Sequence, residues 1–164
     1  MKTRTAQWFI CKVRYEKMQE NGMQKKVTES YVIDAVSFTE AEERITEEMS
    51  AYISGEYEVK DISLAPFSEI FFDEKPNADR YYKAKLAFIT IDEKSGNEKR
   101  HNVTYLVHAE NFNAAVNNVA EAMEGTMIDE IVSIAETQIM DVFEYHPKET
   151  KKADEQHQVS AHRR

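Results

Sequence analysis

The sequence predicts an α+β protein built from two tandem ββαβ repeats, a pseudo-two-fold arrangement of antiparallel sheet with one helix per repeat. Three observations carry this reading. Residues 31–49 (YVIDAVSFTEAEERITEEM) are echoed 74 residues later by 105–123 (YLVHAENFNAAVNNVAEAM). In both, an alternating apolar strand runs into Ser or Asn, then Phe, then a stripe of helical period. Tyr82, Ala84, Leu86 and Phe88 likewise repeat Phe9, Cys11, Val13 and Tyr15 at a spacing of 73. The four glycines also form two equivalent pairs, Gly22 with Gly96 and Gly55 with Gly125.

In order along the chain, residues 7–18 alternate, with Phe9, Cys11, Val13 and Tyr15 on one side and Trp8, Ile10, Lys12 and Arg14 on the other. That period of two predicts a first strand. Asn21-Gly22 follows, a dipeptide that tolerates the positive φ of a tight hairpin turn. The chain is expected to return as a second strand over about 25–36. Ser37 with Glu40 reads as a capping box opening a helix. Its apolar stripe is Phe38, Ala41, Ile45, Met49 and Tyr52, and Gly55 is placed to end it in the left-handed conformation. Residues 57–72 read as a strand, broken or bent near Pro66, because a missing N–H favours an edge or a bulge.

The second copy substitutes Asn111 for Ser37 as the cap and Phe112, Ala115, Val119 and Met123 for the stripe. Residues 127–143 read as strand by parallel with 57–72, with a helical start as the alternative. The expected organisation is a first repeat over 1–73, a connector over 74–80, a second repeat over 81–145, and a disordered charged tail over 146–164. A unit of about 65 residues is marginal alone, so the two are expected to stabilise each other. Edge-to-edge and face-to-face packing of the sheets both stay open.

Composition bounds the function. At 164 residues and 41% hydrophobic content the chain can bury a core. A net charge of −9 and a pI near 5.1 argue against whole-surface attraction to nucleic acid or anionic lipid, although a local basic patch survives that objection. No run approaches the roughly 18 apolar residues of a membrane span, and the N-terminus has no signal-peptide core. A cytoplasmic location without membrane association is the expectation. Cys11, the single cysteine, excludes an internal disulfide and reads as a small core side chain rather than a reactive thiol.

The segments TRTAQWFICKV, SFTEAEERITEEM and RYYKAK, taken with the whole of residues 1–145, resemble an uncharacterised family of small proteins from Bacteroides-group bacteria and their phages, defined by a domain of unknown function. The resemblance implies a non-secreted protein and supplies no catalytic residue.

A search for chemistry returns little. With every glycine assigned to a hairpin or a helix end, none remains for a phosphate loop or a dinucleotide fingerprint. His146, His157 and His162 fall in the tail, while His101 and His108, seven apart on a strand, face opposite sides. His108 could serve as a base, but its counterpart is Asp34, which favours simple surface polarity. Glu40, Glu42, Glu43, Glu47 and Glu48 read as a solvated helix face, with Glu40 spaced to pair with Arg44. No catalytic, cofactor-binding or metal-ligating residue is assigned, and no enzymatic activity is expected.

One constellation remains. Opposite the helix-covered side, the first strands carry Trp8, Lys12 and Arg14 in one repeat and Tyr81, Lys83 and Lys85 in the other. Aromatic and basic groups alternating on a sheet suit single-stranded nucleic acid, since rings stack on bases and cations follow phosphates. Alternatively the lysines snorkel across an open sheet while Trp8 and Tyr81 seal the contact between repeats. The leading expectation is a non-enzymatic interaction protein that binds an unidentified macromolecule or itself. A single-stranded DNA or RNA accessory factor is the second expectation, and an enzyme with a site between the repeats the third.

Overall fold

The computed structural model describes residues 7–145, and the tail expected over 146–164 lies outside the described residues. Strands β1 (Gln7–Met18) and β2 (Gln24–Ala35) form an antiparallel hairpin in register from Gln7↔Ala35 to Met18↔Gln24. Gly22 turns it at φ 82°, a left-handed value that favours glycine. Helix α1 (Phe38–Tyr52), β3 (Tyr57–Leu64) and a short β4 (Glu69–Phe71) complete the first half. The second half repeats the order as β5 (Arg80–Ile91), β6 (Glu98–Ala109), α2 (Phe112–Met123), β7 (Glu130–Glu136) and β8 (Ile139–Phe143). The α+β class and the doubled ββαβ pattern are therefore present, and β2 and β6 follow the same pattern of burial position for position.

The helices start where side-chain oxygens can take orphan N–H groups. Ser37 Oγ accepts from Glu40 N–H at 3.1 Å, and Asn111 Oδ1 accepts from Ala114 N–H at 2.8 Å. Ala41, Ile45 and Met49 are fully buried, whereas Phe38 and Tyr52 at the ends of the predicted stripe are more than half exposed. Gly55 does not end α1 in the left-handed region. Ile53 leaves the helix in an extended conformation (φ −108°), with its N–H closing the last turn on the Met49 carbonyl. Its side chain packs on the core, which draws the backbone out of the helix before Gly55 is reached. Gly125 does take a positive φ (75°), two residues after α2.

Pro66 marks a crossover rather than a bend within one sheet. One sheet has the order β3-β1-β2-β8 and the other β4-β6-β5-β7. The last short strand of each half thus pairs with the other half's sheet. β4 lies parallel to β6, with Ile70 opposite Leu106, and β8 lies parallel to β2, with Val142 opposite Val32. The hinges match too, because Ala65 N–H donates to the Trp8 carbonyl at 2.8 Å and Thr137 N–H to the Tyr81 carbonyl at 2.9 Å.

The sheets pack face to face with the helices outside. Phe9, Cys11, Val13 and Ile33 meet Ala41, Ile45 and Met49 beneath α1, and Ala84, Leu86 and Val107 meet Val119 beneath α2. A third cluster joins the sheets: Val32 from one, Leu106 and Tyr81 from the other, Phe67 from the first crossover and Ile139 from the exchanged β8. Val32 and Leu106 are wholly buried there, each worth about 1.5–3 kcal/mol of transfer free energy.

Candidate interaction face

The inter-sheet contact covers only one end of each hairpin. No residue over 14–31 or over 88–105 is buried, so two arms extend beyond the core. This division sorts the six residues singled out in the sequence. Tyr81 is only 4% exposed, in the inter-sheet cluster, and Trp8 packs half-buried against the same cluster. Lys83 is half-buried, while Lys12, Arg14 and Lys85 are exposed on the part of the faces that the sheets do not cover. The structure therefore places the aromatic members in the join, Lys83 at its margin opposite Leu106, and the other three cations beyond it.

Tyr81 is held from two sides. Its ring stacks on His108 with centroids 4.6 Å apart, and its hydroxyl donates to Asp141 on β8 at 3.3 Å. Burial pushes its phenol above the ordinary range, and the nearby Asp141 carboxylate pushes it further. The hydrogen bond crosses from one sheet to the other, so this ring helps to fix the exchanged strand. His108 Nδ1 is a buried nitrogen without a hydrogen-bond partner among the described residues.

The cations differ between the halves in what stands beside them. In register, Lys12 lies between Ser30 and Asp61, and Arg14 between Thr28 and Glu58. Lys83 lies between Leu106 and Ala135, and Lys85 between Thr104 and Ser133. The second pair thus has no carboxylate in register on either side. Among the described residues none of the four takes part in an ion pair.

A second polar feature was not legible in the sequence. Glu29 on β2 accepts from Tyr15 Oη at 2.5 Å, from Tyr31 Oη at 3.2 Å and from Lys17 Nζ at 3.3 Å. Burial first, and the Glu29 hydrogen bond second, push the Tyr15 phenol up to about 12. Tyr15 also borders a groove of about 610 Å³ lined by Arg14, Lys26, Tyr57 and Glu58 among others. The corresponding positions of the second half hold Phe88, Val103 and Tyr105, so nothing in the repeat announces the network. The strand register gives only a partial hint, since Tyr15 pairs with Val27 and Glu29, two residues on, with Val13, so Tyr15 and Glu29 are diagonal neighbours on one face of the hairpin.

Elsewhere, Cys11 is buried, and burial followed by the Asp61 charge pushes its thiol up to about 12. Among the described residues no group of three or more His, Cys, Asp or Glu side chains is arranged to hold a metal ion, and no helix is long and apolar enough to cross a membrane.

With this geometry in place, comparison with known families matches residues 7–145 to a domain of unknown function (DUF4494). The chain belongs to the DUF4494 family. The matched residues include both sheets and both helices, so the family unit is the strand-exchanged pair and not a single repeat. Neither the curated proteins nor the solved structures contain a match to this DUF4494 chain.

Proposed function

We propose that this DUF4494 protein is a non-enzymatic interaction module that holds an acidic macromolecular partner against the open part of its second sheet. The observation that carries this reading is the Lys83–Lys85 pair, two cations on one strand face with no carboxylate in register and no ion pair among the described residues. A solvated face is ordinarily laced with both signs, as Lys12 beside Asp61 and Arg14 beside Glu58 illustrate. Unopposed cations at the edge of an apolar core retain their attraction for anionic groups brought to them. Lys12 and Arg14 extend the same field from the first sheet, more weakly for their acidic neighbours.

The partner reading is favoured over stacked nucleic acid because Tyr81, one of the two rings a base would need, is buried against His108. The test is affinity capture with the native chain, the double variant Lys83→Glu/Lys85→Glu and the matched variant Lys12→Glu/Arg14→Glu. A partner held by the wild type at low salt should be lost from the first variant and weakened in the second. Equal recovery by wild type and Lys83→Glu/Lys85→Glu would overturn the reading.

A further inference from the structure

The pseudo-symmetry sets two outer edge strands, β3 and β7, in equivalent places, each paired on one side only, with β1 and β5 respectively. Each carries a bulge at the same point, between the partners of Lys12 and Val13 in one sheet and of Lys85 and Leu86 in the other. The residue left over in the bulge is Lys60 in β3 and Val132 in β7. A lysine at such a position is how proteins blunt an exposed edge against pairing with another chain. β3 adds Glu58 and Asp61 around it, and Lys60 is bridged to Glu58 at 3.4 Å. β7 has no charge between Glu130 and Glu136, and its Ile131 and Val132 are 37% and 46% exposed. Both edges have the bulge, but only β3 fills it with charge and β7 fills it with an exposed apolar residue.

We propose that β7 is a self-association edge, and that its occupant is β7 of a second copy in antiparallel pairing about Ser133. The strand is complementary to itself in that register, setting Val132 opposite Ile134 and Ile131 opposite Ala135. Glu130 then falls opposite Glu136, but each arrives with an arginine of its own chain. Arg100 bridges Glu130 at 3.2 Å and Arg80 approaches Glu136 at 3.8 Å, so each end of the new ladder holds two carboxylates and two guanidinium groups. The interface is isologous, as two-fold symmetry requires, and joins two four-stranded sheets into one of eight strands. It does not depend on the cationic face for its stability.

Sedimentation velocity over a wide concentration range tests this. The wild type should pass from monomer to dimer, and Val132→Lys, which gives β7 the residue that β3 has, should weaken the dimer at least ten-fold with an unchanged far-UV spectrum. A wild type that stays monomeric at the highest concentration, or a folded Val132→Lys that dimerises equally well, overturns the proposal. Hydrogen exchange on the wild type supplies a reading that needs no variant. The β7 amides not bonded to β5 should exchange more slowly at high concentration, and exchange independent of concentration would contradict the assignment.

Discussion

Arg44 and Asn118, 74 residues apart, make the same connection in the two halves. Each reaches from its helix to the backbone carbonyl near the end of the second hairpin strand, Arg44 to Asp34 and Asn118 to His108. Each also engages the stretch that follows the strand received from the other half. Arg44 lies over the Tyr145 ring, 5.1 Å from its centroid, while Tyr145 N–H donates to the Asp34 carboxylate that Arg44 bridges at 2.6 Å. Asn118 Nδ2 donates to Asp73 Oδ2 at 2.8 Å, just past β4. Different chemistry thus closes the same latch on an exchanged strand.

Removing either latch should loosen both halves. Asn118→Ala takes one donor from the His108 carbonyl and one from the Asp73 carboxylate, and Arg44→Ala leaves the Asp34 carboxylate without its guanidinium. Each is expected to cost about 1–3 kcal/mol. Urea denaturation should show a lower midpoint with an unchanged slope, the mark of lost stability without a changed unfolded state.

The Asp73 latch also sets an acid dependence. The Lys75 backbone N–H, and then the Asn118 amide, hold the Asp73 carboxyl below its usual value. A depressed folded-state value gives stability that is complete above the unfolded value, near 3.9, and is lost as pH falls through the folded one. Stability measured from neutral pH downward should therefore decline below about pH 4, and Asp73→Asn should flatten that limb.

Tyr15 acts at the other extreme. Its phenol is raised to about 12, so its contribution is complete below the unfolded value near 10 and is lost as pH rises through about 12. Tyr31, Tyr81 and Tyr105 are raised as well, so tyrosinate absorbance should show a late-titrating phase that loses one tyrosine's share in Tyr15→Phe and moves in part to lower pH in Glu29→Gln.

Much of the fold is legible in the residues because local rules and tertiary packing agree. The alternation of Phe9, Cys11 and Val13, the Ser37 and Asn111 caps and the Gly22 turn all follow from period and backbone chemistry. The strand exchange was not legible. Pro66 announces an interruption, but the destination of the next strand depends on which sheet offers a free edge beside β2 or β6. Gly55 misleads for a related reason, since Ile53, partly buried against the core, ends α1 before the glycine can act. The six-residue face was found by alternation, but alternation cannot tell the end of a strand that meets another sheet from the end that meets water. Alternation therefore sets Trp8 and Tyr81 on one face with Lys12 and Lys85, and leaves open whether the two rings seal the contact between the repeats, where the packing puts them.

Cys11 should behave as packing and not as chemistry. With its thiol buried and raised to about 12, modification by an aromatic disulfide at neutral pH should proceed only through unfolding. The labelling rate should rise with urea in parallel with the unfolding rate and should increase in Arg44→Ala.

The most direct measurement follows Trp8, the only tryptophan. The aromatic half of the strand face joins the two sheets, and Lys12, Arg14 and Lys85 lie exposed beyond it. The emission of Trp8 should be blue-shifted, unchanged by single-stranded DNA or RNA at low salt, and lost in one transition together with far-UV ellipticity on unfolding. Quenching by either nucleic acid that weakens as salt is raised would put the indole against bases, and would contradict the assignment of Trp8 to the join.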